Sequence, residues 1–167
     1  MTQQQEEIFC VLSLAIEEFN RREQFLIEHD LSERCICAKF ASYLERRLRT
    51  SSFSEYEVDV EYNRGMRGDE YSAKENPDTK QKMVVDLVIH KRGLDCYGEY
   101  DNLFCIEMKK GCKESKLASD KKRLKMMVDR NKGFCYKAGY MIVIISNRKQ
   151  QINRLEIASS FYGQATY

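Results

Sequence analysis

Apolar residues recur at helical spacing over residues 6–29, at Phe9, Leu12, Ile16, Phe19 and Leu26, which predicts a first helix. Asp30 or Ser32 can cap a second helix reaching Arg49, with Ile36, Cys37, Phe40, Tyr43, Leu44 and Leu48 in one apolar stripe. Residues 56–63 then switch to strict alternation, the mark of a strand with one buried face and one wet face. Residues 64–82 are polar and hold Gly65, Gly68 and Pro77, so the pattern predicts a long loop. Residues 83–90 and 103–109 read as strands apolar on both faces, and the connection over residues 91–102 allows them to pair as an antiparallel hairpin. Residues 115–131 carry Leu117, Leu124, Met127 and Val128 on one helical face, with Gly133 as a stop. Residues 138–145 form a further strand apolar on both faces. The helix before it makes a crossover that favours parallel pairing. Ile152, Leu155 and Ala158 recur three apart, a weak signal for one short helix near the end. The expectation is an α/β fold in which a four-stranded mixed sheet is flanked by helices.

Composition is that of an ordinary globular chain: 167 residues, 43% hydrophobic and 32% charged, with one Pro. A chain of this length buries roughly two-thirds of its unfolded surface, so it can fold without a metal or disulfide staple. No apolar run approaches the ~20 residues needed to cross a membrane. The start of the chain, residues 1–7, is polar and acidic, unlike a secretory signal. These features predict a cytoplasmic protein with no membrane partner. The seven cysteines are then expected to be reduced, buried thiols. An odd count with no CxxC pair argues against a disulfide framework. Cys35 and Cys37 diverge by about 200° on a helix and do not share a metal easily.

Net charge is only +2 but unevenly placed. Residues 1–30 hold seven acids against two bases, and residues 109–132 hold ten Lys/Arg against three acids. The second segment is either a solvated helix face or a surface for a polyanion.

The candidate chemistry lies in the strands that ought to be driest. Asp86 interrupts Val84, Val85, Leu87, Val88 and Ile89, while Glu107 and Lys109 interrupt residues 103–108. A carboxylate in an apolar sheet is costly unless it is paired or binds a metal. Glu107 and Lys109 are two apart and face the same way, and pairing of the two strands brings Asp86 to that face. Two carboxylates suit Mg²⁺, and a nearby lysine can orient or deprotonate a water, or offset negative charge. An inter-strand salt bridge from Lys109 to either acid is the plainer alternative. His29 and His90 carry no role in this reading. Tyr56 and Tyr62 are explained by packing, although they and Tyr97 and Tyr100 could stack on bases. No P-loop, GxGxxG or nucleophile elbow is present.

Asp86 followed by Glu107-Met108-Lys109 resembles the D…(D/E)xK signature of the PD-(D/E)XK nuclease superfamily, the restriction-endonuclease-like fold. The element order is similar to that family's αβββαβ core over residues 31–146, with an extra N-terminal helix. Val85 stands where the family's proline would precede Asp86. The resemblance implies an N-terminal helix at residues 1–30, packed on the core or on a partner, and a nuclease-like domain at residues 31–167. It implies Asp86, Glu107 and the Met108 backbone carbonyl as ligands of Mg²⁺, for which Mn²⁺ substitutes, and Lys109 as the catalytic lysine. Glu33 matches the acid that many members add from the first core helix, but it also sits where a capping box would place it. Lys110, Lys113, Lys116, Lys121, Lys122, Arg123 and Lys125 would meet phosphates and make binding salt-dependent. Asp120 can pair with Lys109 or with an Arg of the first core helix, or be a plain surface acid. The implied activity is metal-dependent hydrolysis of nucleic acid, DNA favoured over RNA. The alternative is an inactive nuclease-fold module that binds nucleic acid or a protein. A homodimer or protein partner would then supply specificity.

Overall fold

The computed structural model describes residues 1–67, 70–76, 79–92, 102–111, 114–129, 134–147 and 152–163. Its main sheet has five strands in the order β1 (Glu57–Val60), β4 (Leu87–His90), β5 (Asn102–Lys110), β6 (Ala138–Asn147) and β7 (Ile152–Tyr162). Only β5 and β6 run parallel, and the crossover between them is α4 (Glu114–Val128). The α/β class, the antiparallel β4–β5 pair and the parallel β5–β6 pair agree with the sequence pattern.

Period-2 alternation splits the central strands between two cores. Leu87, Ile89, Phe104, Ile106, Tyr140, Ile142 and Ile144 face α1 (Gln3–Arg22), α2 (Gln24–Glu28) and α3 (Glu33–Arg49). Val88, Cys105, Met141 and Val143 face Leu117, Leu124, Met127 and Val128 of α4. Gly139 lets α4 lie close. A Cβ there would stand 3.4 Å from both Leu124 and Val128, tighter than most side-chain contacts.

The first helix begins earlier than the apolar pattern suggests because Thr2 and Gln5 form a capping box, and it breaks at Glu23. Its buried stripe is Ile8, Leu12, Ala15, Ile16 and Phe19; Phe9, expected inside, is exposed. The stripe belongs to the same core as α3 and the sheet.

The sheet has five strands, not four. The expected terminal helix is instead β7, eleven residues long and antiparallel to β6 from Asn147↔Ile152 to Ala138↔Tyr162. An edge of the apolar strand β6 left bare would expose its backbone groups, and the Ile and aromatic residues of the tail suit a strand. Residues 64–82 are not all loop: β2 (Arg64–Arg67) and β3 (Glu70–Ala73) form a separate two-stranded ribbon. The expected strand over residues 83–90 is shortened to its last four residues, so Asp86 stands just outside β4. β1 is short as well, and the chain turns at Glu61, with φ +51°. The turn residues Gly68, Pro77, Gly93, Gly98 and Gly133, and with them Tyr97 and Tyr100, lie outside the described residues.

Candidate active site

The site is built where β5 outruns β4. Leu87 pairs with Ile106, and β5 continues for four more residues with no strand on that side. Along a strand, alternate backbone N–H groups point to the same edge. Those of Met108 and Lys110 therefore need partners. Met108 N–H donates to Asp86 Oδ2 at 2.6 Å, and Lys110 N–H donates to Glu33 Oε2 at 2.8 Å. Two carboxylates thus complete the ladder and are fixed in place by it. Asp86 is itself anchored, because its carbonyl accepts from Glu61 N–H at 3.0 Å and lies 3.8 Å from Cys37 Sγ.

Glu33 is not the helix cap. Ser32 caps α3 by accepting from Cys35 N–H, while the Glu33 side chain turns to β5. Its Oε1 lies 3.4 Å from Lys109 Nζ. Lys109 Nζ is also 4.0 Å from Asp120 Oδ2, which comes across from α4. Lys110 Nζ instead meets Asp30 Oδ1 at 2.7 Å.

Asp86 and Glu107 are close enough to act on each other's titration, while their hydrogen bonds run to Met108 N–H and to Arg123. Glu107 is 4% exposed. Burial pushes its carboxyl up to about 8, against the pull of Arg123 and with a further push from Asp86. Burial also raises Asp86, opposed by the Met108 N–H and by Glu107. Burial alone would lower Lys109, but Glu33 and Asp120 outweigh it and raise its pKa, so it stays an ammonium.

Sequence reasoning missed the place of Arg123. It is not a free surface cation. Its Nε binds Glu107 Oε1, and its Nη2 binds Asp120 Oδ1 at 2.6 Å. The Asp120–Arg123 spacing is an i,i+3 helical pair and was the one available hint.

Among the other basic residues, Lys122 and Lys125 are exposed, with Lys125 Nζ 5.8 Å from the Phe161 ring, and Lys121 is half-buried. Lys113 and the Lys116 side chain lie outside the described residues. His90 is buried, with Nε2 2.9 Å from Asp59 Oδ2, and His29 stacks on Phe25. Cys37 and Cys105 are buried free thiols, but Cys10 and Cys35 are exposed ones, contrary to the expectation of burial.

Among the described residues no group of three or more His, Cys, Asp or Glu is placed to hold a metal ion. The donor set that resemblance implies is smaller than that, two acids and a carbonyl, and its chemistry fits a hard divalent cation that keeps several waters. Compared with known proteins, the chain matches no family model, no curated protein and no solved structure.

Proposed function

We propose that this protein is a metal-dependent nuclease that hydrolyses phosphodiester bonds in nucleic acid, with DNA the favoured substrate. The observation that carries the reading is that Asp86, fixed by the Met108 N–H at the free end of β5, acts electrostatically on both Glu107 and Lys109. A bound Mg²⁺ would supply charge neutralisation and a water of lowered pKa, with Asp86, Glu107 and the Met108 carbonyl as its ligands.

The other groups have work that follows from their own chemistry. Lys109 is fixed between Glu33 and Asp120 and remains protonated, which suits offsetting charge on the phosphate better than taking a proton from water. Glu33 positions Lys109 and ties α3 to β5. In the net reaction a water oxygen bonds to phosphorus, one P–O ester bond breaks, and the departing oxygen takes a proton. The exposed Lys122 and Lys125 on α4 add sequence-independent attraction for the backbone.

The test is cleavage of plasmid and oligonucleotide DNA and RNA with Mg²⁺ and Mn²⁺. Asp86→Ala and Glu107→Ala should lower activity at least a hundredfold while the circular dichroism spectrum persists, and Lys109→Ala should do the same. Undiminished cleavage in the Asp86 or Glu107 variant would defeat the assignment.

One observation favours a second reading, an inactive nuclease-fold module that binds nucleic acid or a protein. Arg123 already occupies Glu107 Oε1. A module of that kind would show salt-dependent binding to nucleic acid, no uptake of Mn²⁺ and no cleavage.

A further inference from the structure

The side chain that the nuclease reading leaves unexplained is Arg123. It bridges two buried acids on different elements, Glu107 of β5 and Asp120 of α4. We infer that Arg123 is the resident cation of this carboxylate cluster, and that it withdraws from Glu107 when a divalent cation is taken up. The inference rests on the metal-site reading above.

The cluster's charges give the first reason. Asp86, Glu107, Asp120 and Glu33 are joined through Lys109, Arg123 and backbone N–H groups. Buried acids such as Glu107 and Asp120 are costly to ionise without a cation beside them. Lys109 leans to Glu33 and Asp120, which leaves Arg123 as the cation on Glu107.

A guanidinium and a divalent cation compete for the same oxygens. Arg123 Nε occupies Glu107 Oε1, and its positive charge repels a second cation in the same poorly hydrated space. Its geometry permits departure, because the side chain is 34% exposed whereas those of Glu107 and Asp120 are 5% and 9% exposed. The acids are fixed and the arginine is the movable member. Once free, a planar fork of N–H donors beside the site is suited to a phosphate.

Two substitutions separate this from general electrostatics. Arg123→Ala should bind Mn²⁺ about tenfold more tightly than the wild type, within the usual range of coupling between two sites. Asp120→Asn is the decisive variant. Removing an acid should weaken cation binding on charge grounds alone. Here it should tighten Mn²⁺ binding a few-fold, because Arg123 loses its second anchor.

The measurement is titration of the full chain with Mn²⁺, without nucleic acid, following free Mn²⁺ by electron paramagnetic resonance. Tighter binding in both variants supports the inference. If the wild type binds Mn²⁺ and Arg123→Ala binds no more tightly, or Asp120→Asn binds more weakly, the inference is overturned and the metal site stands. If neither the wild type nor either variant binds, the metal-site reading fails and the inference with it. Should Arg123→Ala not fold, Asp120→Asn decides.

Discussion

At the scale of the residue, Glu107 bears the most opposed demands. It must be buried to sit in β5, and on the proposed reading it must be ionised to hold a cation. Burial wins and lifts its carboxyl from an ordinary 4.5 to about 8. The folded chain therefore keeps a proton on Glu107 that the unfolded chain releases as pH passes 4.5. Between those values the native state binds more protons, so its stability falls as pH rises. Asp86, raised in the same direction, adds to the slope. Glu107→Gln removes the contribution of Glu107. Urea unfolding at pH 5, 7 and 9 should show the wild type losing stability relative to Glu107→Gln across that range. The loss should be on the order of a few kcal/mol. A difference between the two proteins that stays level with pH would mean that Glu107 is ionised throughout and that Arg123 outweighs burial.

At the scale of the element, the fold's exposed flank is β7, and α1 protects it. The Asn20 amide donates to Leu155 C=O at 3.0 Å and accepts from Leu155 N–H at 2.7 Å, as a neighbouring strand would. Asn20→Ala leaves both groups of a buried residue without that partner and should cost about 1–3 kcal/mol in chemical denaturation. Asn20→Asp keeps an acceptor but loses the donor, so it should recover only part of that cost. A cost below a few tenths of a kcal/mol in Asn20→Ala would show that water replaces the amide. This flank was not legible in the sequence. Ile152, Leu155 and Ala158 are spaced as on a helix, and only the need of β6 for a partner makes them a strand. The ribbon of β2 and β3 was hidden for a related reason, since its residues show no apolar alternation. By contrast, β5, β6 and α4 were plain. The two strands are continuous apolar runs and the helix carries one apolar face, and Asp86, Glu107 and Lys109 stood out because they broke an apolar run. What no period can show is a partner across space. Arg123 looked like one more base on a helix until Glu107 lay beside it.

At the scale of the whole molecule, the sheet divides the labour. The face under α1 to α3 is a continuous apolar core from Ile8 to Leu155. The other face carries α4, a smaller core and the charged end of β5. Charge follows the same division. The acids of residues 1–30 lie on or next to the first two helices, and Glu18 among them is consumed by Arg22, Arg46 and Arg47. Lys122 and Lys125 remain exposed on α4, with Lys109 and Arg123 on the site side of that layer. On the proposed reading, a polyanion would approach the α4 face rather than the α1 face. Every lysine–phosphate pairing that is removed should reduce the slope of log affinity against log salt by about 0.9 for duplex DNA. Replacing both Lys122 and Lys125 by Ala should lower that slope by roughly 1.8. The weakening should be uniform across unrelated sequences, because phosphate pairings carry no base information. Replacing the exposed Glu6 and Glu17 of α1 by Gln adds two positive increments to net charge but no phosphate pairing, so the slope should stay as in the wild type. Fluorescence anisotropy from 50 to 200 mM salt reads both variants. An unchanged slope in the lysine variant, or an equal change in the glutamine variant, would mean that binding follows net charge and not the α4 face. The site at the end of β5 would then have no surface that delivers a substrate to it.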